Sequence, residues 1–172
     1  MSNVSPVVGN AYNMFETIAA GFICLAMNVY HEAKNQPFDG QVAVAQVVLN
    51  RVEDERYPNT ICEVVEQGPI YESWKTRNDA SLTEKERVYW PVKNRCQFSW
   101  YCDGKSDKIY DQEAWKNAMV AAAIATTSKT EDITLGATHY HATYVKPDWA
   151  STKRRTIQIG DHIFYGAQLL GG

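Results

Sequence analysis

The chain has 172 residues, 45% of them hydrophobic and 22% charged, an ordinary globular balance and enough length to bury a real core in one domain spanning 1–172. A formal net charge of -3 and a pI near 5.8 supply no overall basic field for nucleic acid. The longest apolar run, 19–27, falls well short of the roughly 20 residues that span a bilayer, so neither nucleic acid nor membrane is expected as a partner and the chain reads as a monomer.

The first basic residue is Lys34, so the amino terminus lacks the early positive charge of a secretory signal and is expected to carry no export signal. Between Phe15 and Ala33, apolar residues such as Ile18, Phe22, Ala26, Val29 and Tyr30 recur every three or four positions, which predicts an amphipathic helix. At about 100° per residue, Glu32 lies beside Leu25 at the edge of that stripe, and His31 points away from it. A carboxyl at such a border is partly desolvated. Burial disfavours its charged form and raises its pKa, as a general acid working near neutral pH requires.

After a turn at 35–40, Asp39 is the expected N-cap of a helix over 40–52. That segment is apolar nearly all round and should be the central buried helix. Its Gln46 and Asn50 sit four apart on one face and read equally as satisfied core amides or as cleft residues. Residues 67–95 change character: Gly68-Pro69 breaks the chain and 72–87 is dense in charge, which predicts a solvated surface insertion with a short helix. The Ala-rich segment 111–126, capped by Asp111, predicts another helix. From Ala137 the period shortens to two, and 156–165 alternates around Gly160-Asp161, predicting a small antiparallel sheet. The expected fold class is therefore α+β: mainly helical, with a small C-terminal antiparallel sheet.

Four cysteines match no common zinc ribbon. Cys24 reads as a buried thiol. For Cys62, Cys96 and Cys102, one disulfide (Cys62 with Cys96 or Cys102) and free thiols in a reducing compartment stand level.

Three clusters compete for the chemistry. The first is Tyr30-His31-Glu32-Ala33, although a Glu at a helix end is by itself usually a surface residue. The second, Cys96 to Gly104, combines aromatic faces with amide and hydroxyl groups, the inventory that binds a pyranose with its C–H face and hydroxyl rim; packing of Phe98 and Trp100 into the core is the equal alternative. The third is 136–141 with His162. His139 and His141 share a strand face and would suit zinc if His162 or Asp161 converged on them, although no His-Glu-x-x-His pattern is present.

Taken together, Tyr30 to Val52 (YHEAKNQPFDGQVAVAQVVLNRV) resembles the signature of the SleB-type cell-wall hydrolases, the spore cortex-lytic enzymes. Further blocks follow in order at 57–65, 96–100, 136–141, 147–149 and 159–165. The resemblance implies a lysozyme-like or lytic-transglycosylase-like fold. It also implies cleavage of the β-1,4 bond between N-acetylmuramic acid and N-acetylglucosamine in peptidoglycan glycan strands, with Glu32 catalytic and no metal or other cofactor. Gln97, Phe98, Ser99, Trp100, Thr138, His139, Tyr140 and His141 are the substrate-binding candidates that go with it. No second carboxylate stands in a catalytic setting, since Asp103 and Asp161 fall in turns, which favours a one-carboxylate lytic transglycosylase. The alternative is a zinc amidase or endopeptidase acting on the stem peptides through His139, His141 and His162. With no export signal expected, a phage endolysin released from the host cytoplasm by a holin, or a virion component, fits the wall as target.

Overall fold

The computed structural model describes residues 6–167, apart from the side chains of 6–13 and of Phe15. Helix α1 (Pro6–Ala33) begins well before the predicted Phe15, which itself lies outside the described side chains. Its start has a local reason, because Pro at the first helical position costs no hydrogen bond. The periodic stripe could not show it: among the described side chains of α1, Met14 and 16–20 are exposed, and packing on a core begins at Phe22.

Helix α2 (Phe38–Val52) is the central element, with Val44, Ala45, Val47 and Val48 at 0% exposure. Its all-round apolar character follows from two partners. Val42, Ala45 and Val48 meet α1 and helix α5 (Gln112–Ala125), while Ala43 and Val47 meet the sheet through Phe164. Burial of each such valine contributes on the order of 1.5–3 kcal/mol. The predicted cap is corrected: Asp39 lies inside the first turn, and Pro37 occupies the N-cap position with no side-chain hydrogen bond. Asp39 still favours the helix electrostatically, as an acid near an N-terminus. The α5 cap stands as expected, with the Asp111 carboxylate accepting from the Ala114 N–H at 2.9 Å.

Short helix α3 (Ile61–Val65) is tied to α1 by a Cys24–Cys62 disulfide, and a second disulfide joins Cys96 to Cys102. Cys24 is thus not a free thiol. Spacing alone could not show that α1 and α3 lie side by side. With a sequence separation of 38, the first bond is worth about 4 kcal/mol by the loop-entropy argument.

The insertion holds more order than its charge suggested. Strands β1 (Ile70–Glu72) and β2 (Tyr89–Pro91) pair antiparallel, with helix α4 (Trp74–Arg77) between them. The C-terminal sheet forms as predicted from β3 (His139–Ala142), β4 (Arg154–Ile159) and β5 (His162–Gly166), in the antiparallel order β3-β5-β4. Gly160 has φ +55°, and a Cβ there would run into Gln36 and Pro37. The β4–β5 turn therefore closes directly against the α1–α2 turn. Among the described residues no helix is long and apolar enough to cross a membrane.

Candidate active site

Glu32 sits in the last turn of α1, where that helix, the end of α2 and strand β3 converge. The Tyr140 hydroxyl donates to Glu32 Oε2 at 2.9 Å, across 108 residues of sequence. Burial pushes the Glu32 carboxyl above its ordinary value of 4.5, and the Tyr140 hydrogen bond and the positive charge of Arg51 offset this only in part. The groups that act on its charge are thus the Tyr140 hydroxyl and the Arg51 guanidinium. Burial, together with the neighbouring Glu32, also drives the Tyr140 hydroxyl well above its usual value, so it remains a donor.

Arg51 was not singled out in the sequence, yet it is 5% exposed at the end of α2. Its Nε donates to the Thr138 carbonyl at 2.7 Å, and its guanidinium lies over the rings of Tyr57 (5.2 Å) and Phe98 (5.1 Å). Burial draws its pKa down, while Tyr57, Tyr140 and Glu32 oppose that. Its Nη1 is buried without a hydrogen-bond partner. The signal was available: Arg51 continues the Val44, Val47, Val48 stripe, and a charge on a buried stripe needs a reason.

What delivers Tyr140 is the loop before β3, and here Gln46 and Asn50 prove to be satisfied amides. Gln46 donates to the Glu131 carbonyl (2.8 Å) and accepts from the Ile133 N–H (3.1 Å). Asn50 donates to Asp132 Oδ2 and to the Ala137 carbonyl, both at 2.9 Å. Burial alone would raise the Asp132 carboxyl, but hydrogen bonds from Thr134, Asn50 and Gly136 outweigh it and hold the group below its ordinary value. Two anchors on one face of α2 thus fix where β3 begins.

The 96–102 segment, closed by its disulfide, crosses beside α1. Phe98 is a core side chain under Arg51, at 3% exposure. Trp100 is partly buried; its indole N–H donates to Asn28 Oδ1 at 2.9 Å and its ring stacks on His31 at 4.5 Å. Gln97 and Ser99 are exposed. Thr138 is buried, and its hydroxyl meets His139 Nδ1 at 3.0 Å.

Strand β3 separates the other candidates. Tyr140 faces the core with His162 and Phe164 (ring centroids 4.9 and 5.5 Å away), whereas His139 and His141 face outward toward Trp149 (5.3 and 5.6 Å). His141 also stacks on Tyr165 and shares a 3.0 Å hydrogen bond with its hydroxyl. A cleft of about 640 Å³ opens on that outward face between His141, Tyr165 and the 145–151 segment. His139 and His141 do share a face, as expected, but His162 lies on the opposite one. The Asp161 carboxylate, for its part, is engaged by Gln36. The zinc set of the alternative reading therefore does not converge, and no group of three metal-ligating side chains occurs among the described residues.

A family model described as Cell Wall Hydrolase matches residues 35–165, and the chain belongs to that family. The matched span begins three residues beyond Glu32. Spore cortex-lytic enzymes from Bacillus subtilis and Oceanobacillus iheyensis are each 46% identical over 41 residues, 24% of this chain and 13% and 15% of theirs. The chain thus aligns with only a small part of these relatives. In structure it is similar to the catalytic domain of the Bacillus cereus SleB protein (TM-score 0.53, 25% identity, 84% of this chain and 88% of that one). It is also similar to the catalytic domain of the germination-specific lytic transglycosylase SleB of Bacillus anthracis (TM-score 0.53, 26% identity, 84% and 93%). The helical, α+β architecture predicted from the sequence is the fold these structures share.

Proposed function

We propose that the chain cleaves the glycan strands of peptidoglycan at the β-1,4 bond between N-acetylmuramic acid and N-acetylglucosamine, as a lytic transglycosylase with Glu32 as its single acid and base. The observation that carries this reading is a desolvated carboxyl that accepts a hydrogen bond from Tyr140 and lies in the field of Arg51, in a member of the cell wall hydrolase family.

The protonated Glu32 donates its proton to the glycosidic oxygen as the bond from the muramic C1 to that oxygen breaks. Positive charge develops at C1. Glu32, now a carboxylate, is steadied by the Tyr140 O–H and the Arg51 charge. It then removes the proton from the muramic C6 hydroxyl, whose oxygen closes on C1 to give a 1,6-anhydro ring and restore the acid. A hydroxyl held within the same sugar outcompetes water through effective concentration, so a second carboxylate, which a hydrolase ordinarily uses, is not required. Because Tyr140 occupies Oε2, the other carboxyl oxygen is the one free to hold the travelling proton.

The test is mass spectrometry of soluble products from purified sacculi. Anhydromuramic ends, missing when Glu32→Gln replaces the wild type, are the expected result. Reducing muramic ends would replace this scheme with hydrolysis, and cleaved stem peptides would remove the glycosidase reading.

A further inference from the structure

The β1–β2 hairpin lies outside the site and leaves its aromatic residues uncovered. Tyr71 and Trp90 are paired directly across the strands and are 54% and 53% exposed, and Trp74 is 67% exposed. Tyr71 and Trp90 form a ridge with a groove on either side. One, of about 480 Å³, is completed by Ser73, Trp74, Lys75 and Val88; the other, of about 260 Å³, includes Lys93, Tyr101 and Lys105. Three lysines and no carboxylate line the two grooves, in a chain of net charge -3. The acids around them are engaged: Glu72 by Arg87, Glu84 by the Tyr89 hydroxyl, Glu86 by Thr83, Asp103 by the Lys105 N–H and Glu66 by the Tyr101 hydroxyl. Ring contacts link the second groove to the candidate site. Tyr101 meets Trp100 edge to face at 6.0 Å, and Trp100 stacks on His31, the neighbour of Glu32.

We propose that this double groove is a distal subsite that holds the peptidoglycan strand beyond the point of cleavage. Sugar rings lie on Tyr71, Trp90 and Trp74, and the lysines face the carboxylates of the attached peptides; the inference rests on the reading of peptidoglycan as substrate. A pyranose packs its C–H face on an aromatic ring, and a ridge of exposed rings flanked by two grooves suits a ribbon-like polymer. A lipid surface would also accept tryptophan and lysine. It gives no reason for the aromatic path through Tyr101 and Trp100 to the site.

The test measures co-sedimentation with purified sacculi in the Glu32→Gln background, where binding is read without turnover. Trp74→Ala/Trp90→Ala is expected to weaken the dissociation constant about tenfold or more, as loss of tryptophan anchors does. Trp74→Phe/Trp90→Phe should stay within about threefold of the parent. Both side chains are exposed, so the thermal midpoint of the alanine variant should not move. Unchanged sacculus affinity overturns the proposal. So does a variant whose only loss is binding to phosphatidylglycerol vesicles. Failure of the functional reading appears separately, as cleaved stem peptides in the product analysis, while sacculus binding still decides the subsite.

Discussion

The two faces of strand β3 carry similar inventories of polar aromatic side chains in opposite situations. On the inner face, Tyr140 gives its hydroxyl to Glu32, whose burial raises its pKa. On the outer face, His139 and His141 lie among Trp149, Tyr57 and Tyr165, and their ring nitrogens meet Thr138, the Ala142 carbonyl and the Tyr165 hydroxyl. Histidine is the side chain most often associated with acid–base work, yet burial pulls His139 down to about 4, which keeps it neutral over most of the pH range. The contrast teaches that a reactive residue type says little by itself: burial moves Glu32 toward the working range of an acid and moves His139 away from it.

The largest way to break that contrast is Glu32→Gln, which should lower the rate by about 10²- to 10⁴-fold, the usual range for a general acid–base group. Asp103→Asn and Asp161→Asn should each cost less than about tenfold in the same soluble-product assay. An inactive, folded Asp103→Asn protein would point to a two-carboxylate mechanism instead. Glu32→Gln should also be the more stable protein in alkaline denaturant melts. A carboxyl whose folded pKa is raised supports the fold below its ordinary value of 4.5 and withdraws that support as pH climbs through the folded value.

Tyr140→Phe comes next, with a rate loss of about tenfold and about 1.5–3 kcal/mol of stability, the scale of a buried hydrogen bond to a charged group. The lost hydrogen bond had been lowering the Glu32 pKa, so the alkaline limb of the pH–rate profile should move to higher pH. His139 sharpens the comparison with the opposite sign. Its folded pKa is depressed, so stability should fall as pH drops from 6.5 toward about 4, where the unfolded chain takes up a proton that the folded one refuses. His139→Asn should flatten that part of the stability curve. The smallest effect is expected from EDTA, which should change activity by less than about twofold; loss restored by zinc would transfer the chemistry to the histidine face.

The helices and the C-terminal hairpin were legible because their signals are local: the Asp111 cap, the periodic apolar positions of α2, and the Gly160-Asp161 turn. The partial burial of Glu32 was legible from its place at the edge of the stripe, whereas its proposed role came from the family resemblance. What lay hidden depends on contacts between distant segments. Tyr140 reaches Glu32 across 108 residues, and Cys24 meets Cys62 only because α3 docks on α1. Whether His162 would converge on His139 and His141 stayed open, because strand period places two of them on one face but says nothing of the third, on another strand. Gln46 and Asn50 were undecided for the same reason, since their partners lie 82 to 87 residues away.

The central claim is that burial lifts the Glu32 carboxyl where α1, α2 and β3 meet, and that proton transfer runs through Glu32 rather than the histidine face. Its most direct test is a carbon NMR titration of the Glu32 side-chain carboxyl in the wild-type protein, with Tyr140→Phe alongside. A midpoint above 4.5 that rises further in the variant is the predicted result. A wild-type midpoint at or below 4.5 would mean that burial does not hold Glu32 as an acid, and the proposed mechanism would fail.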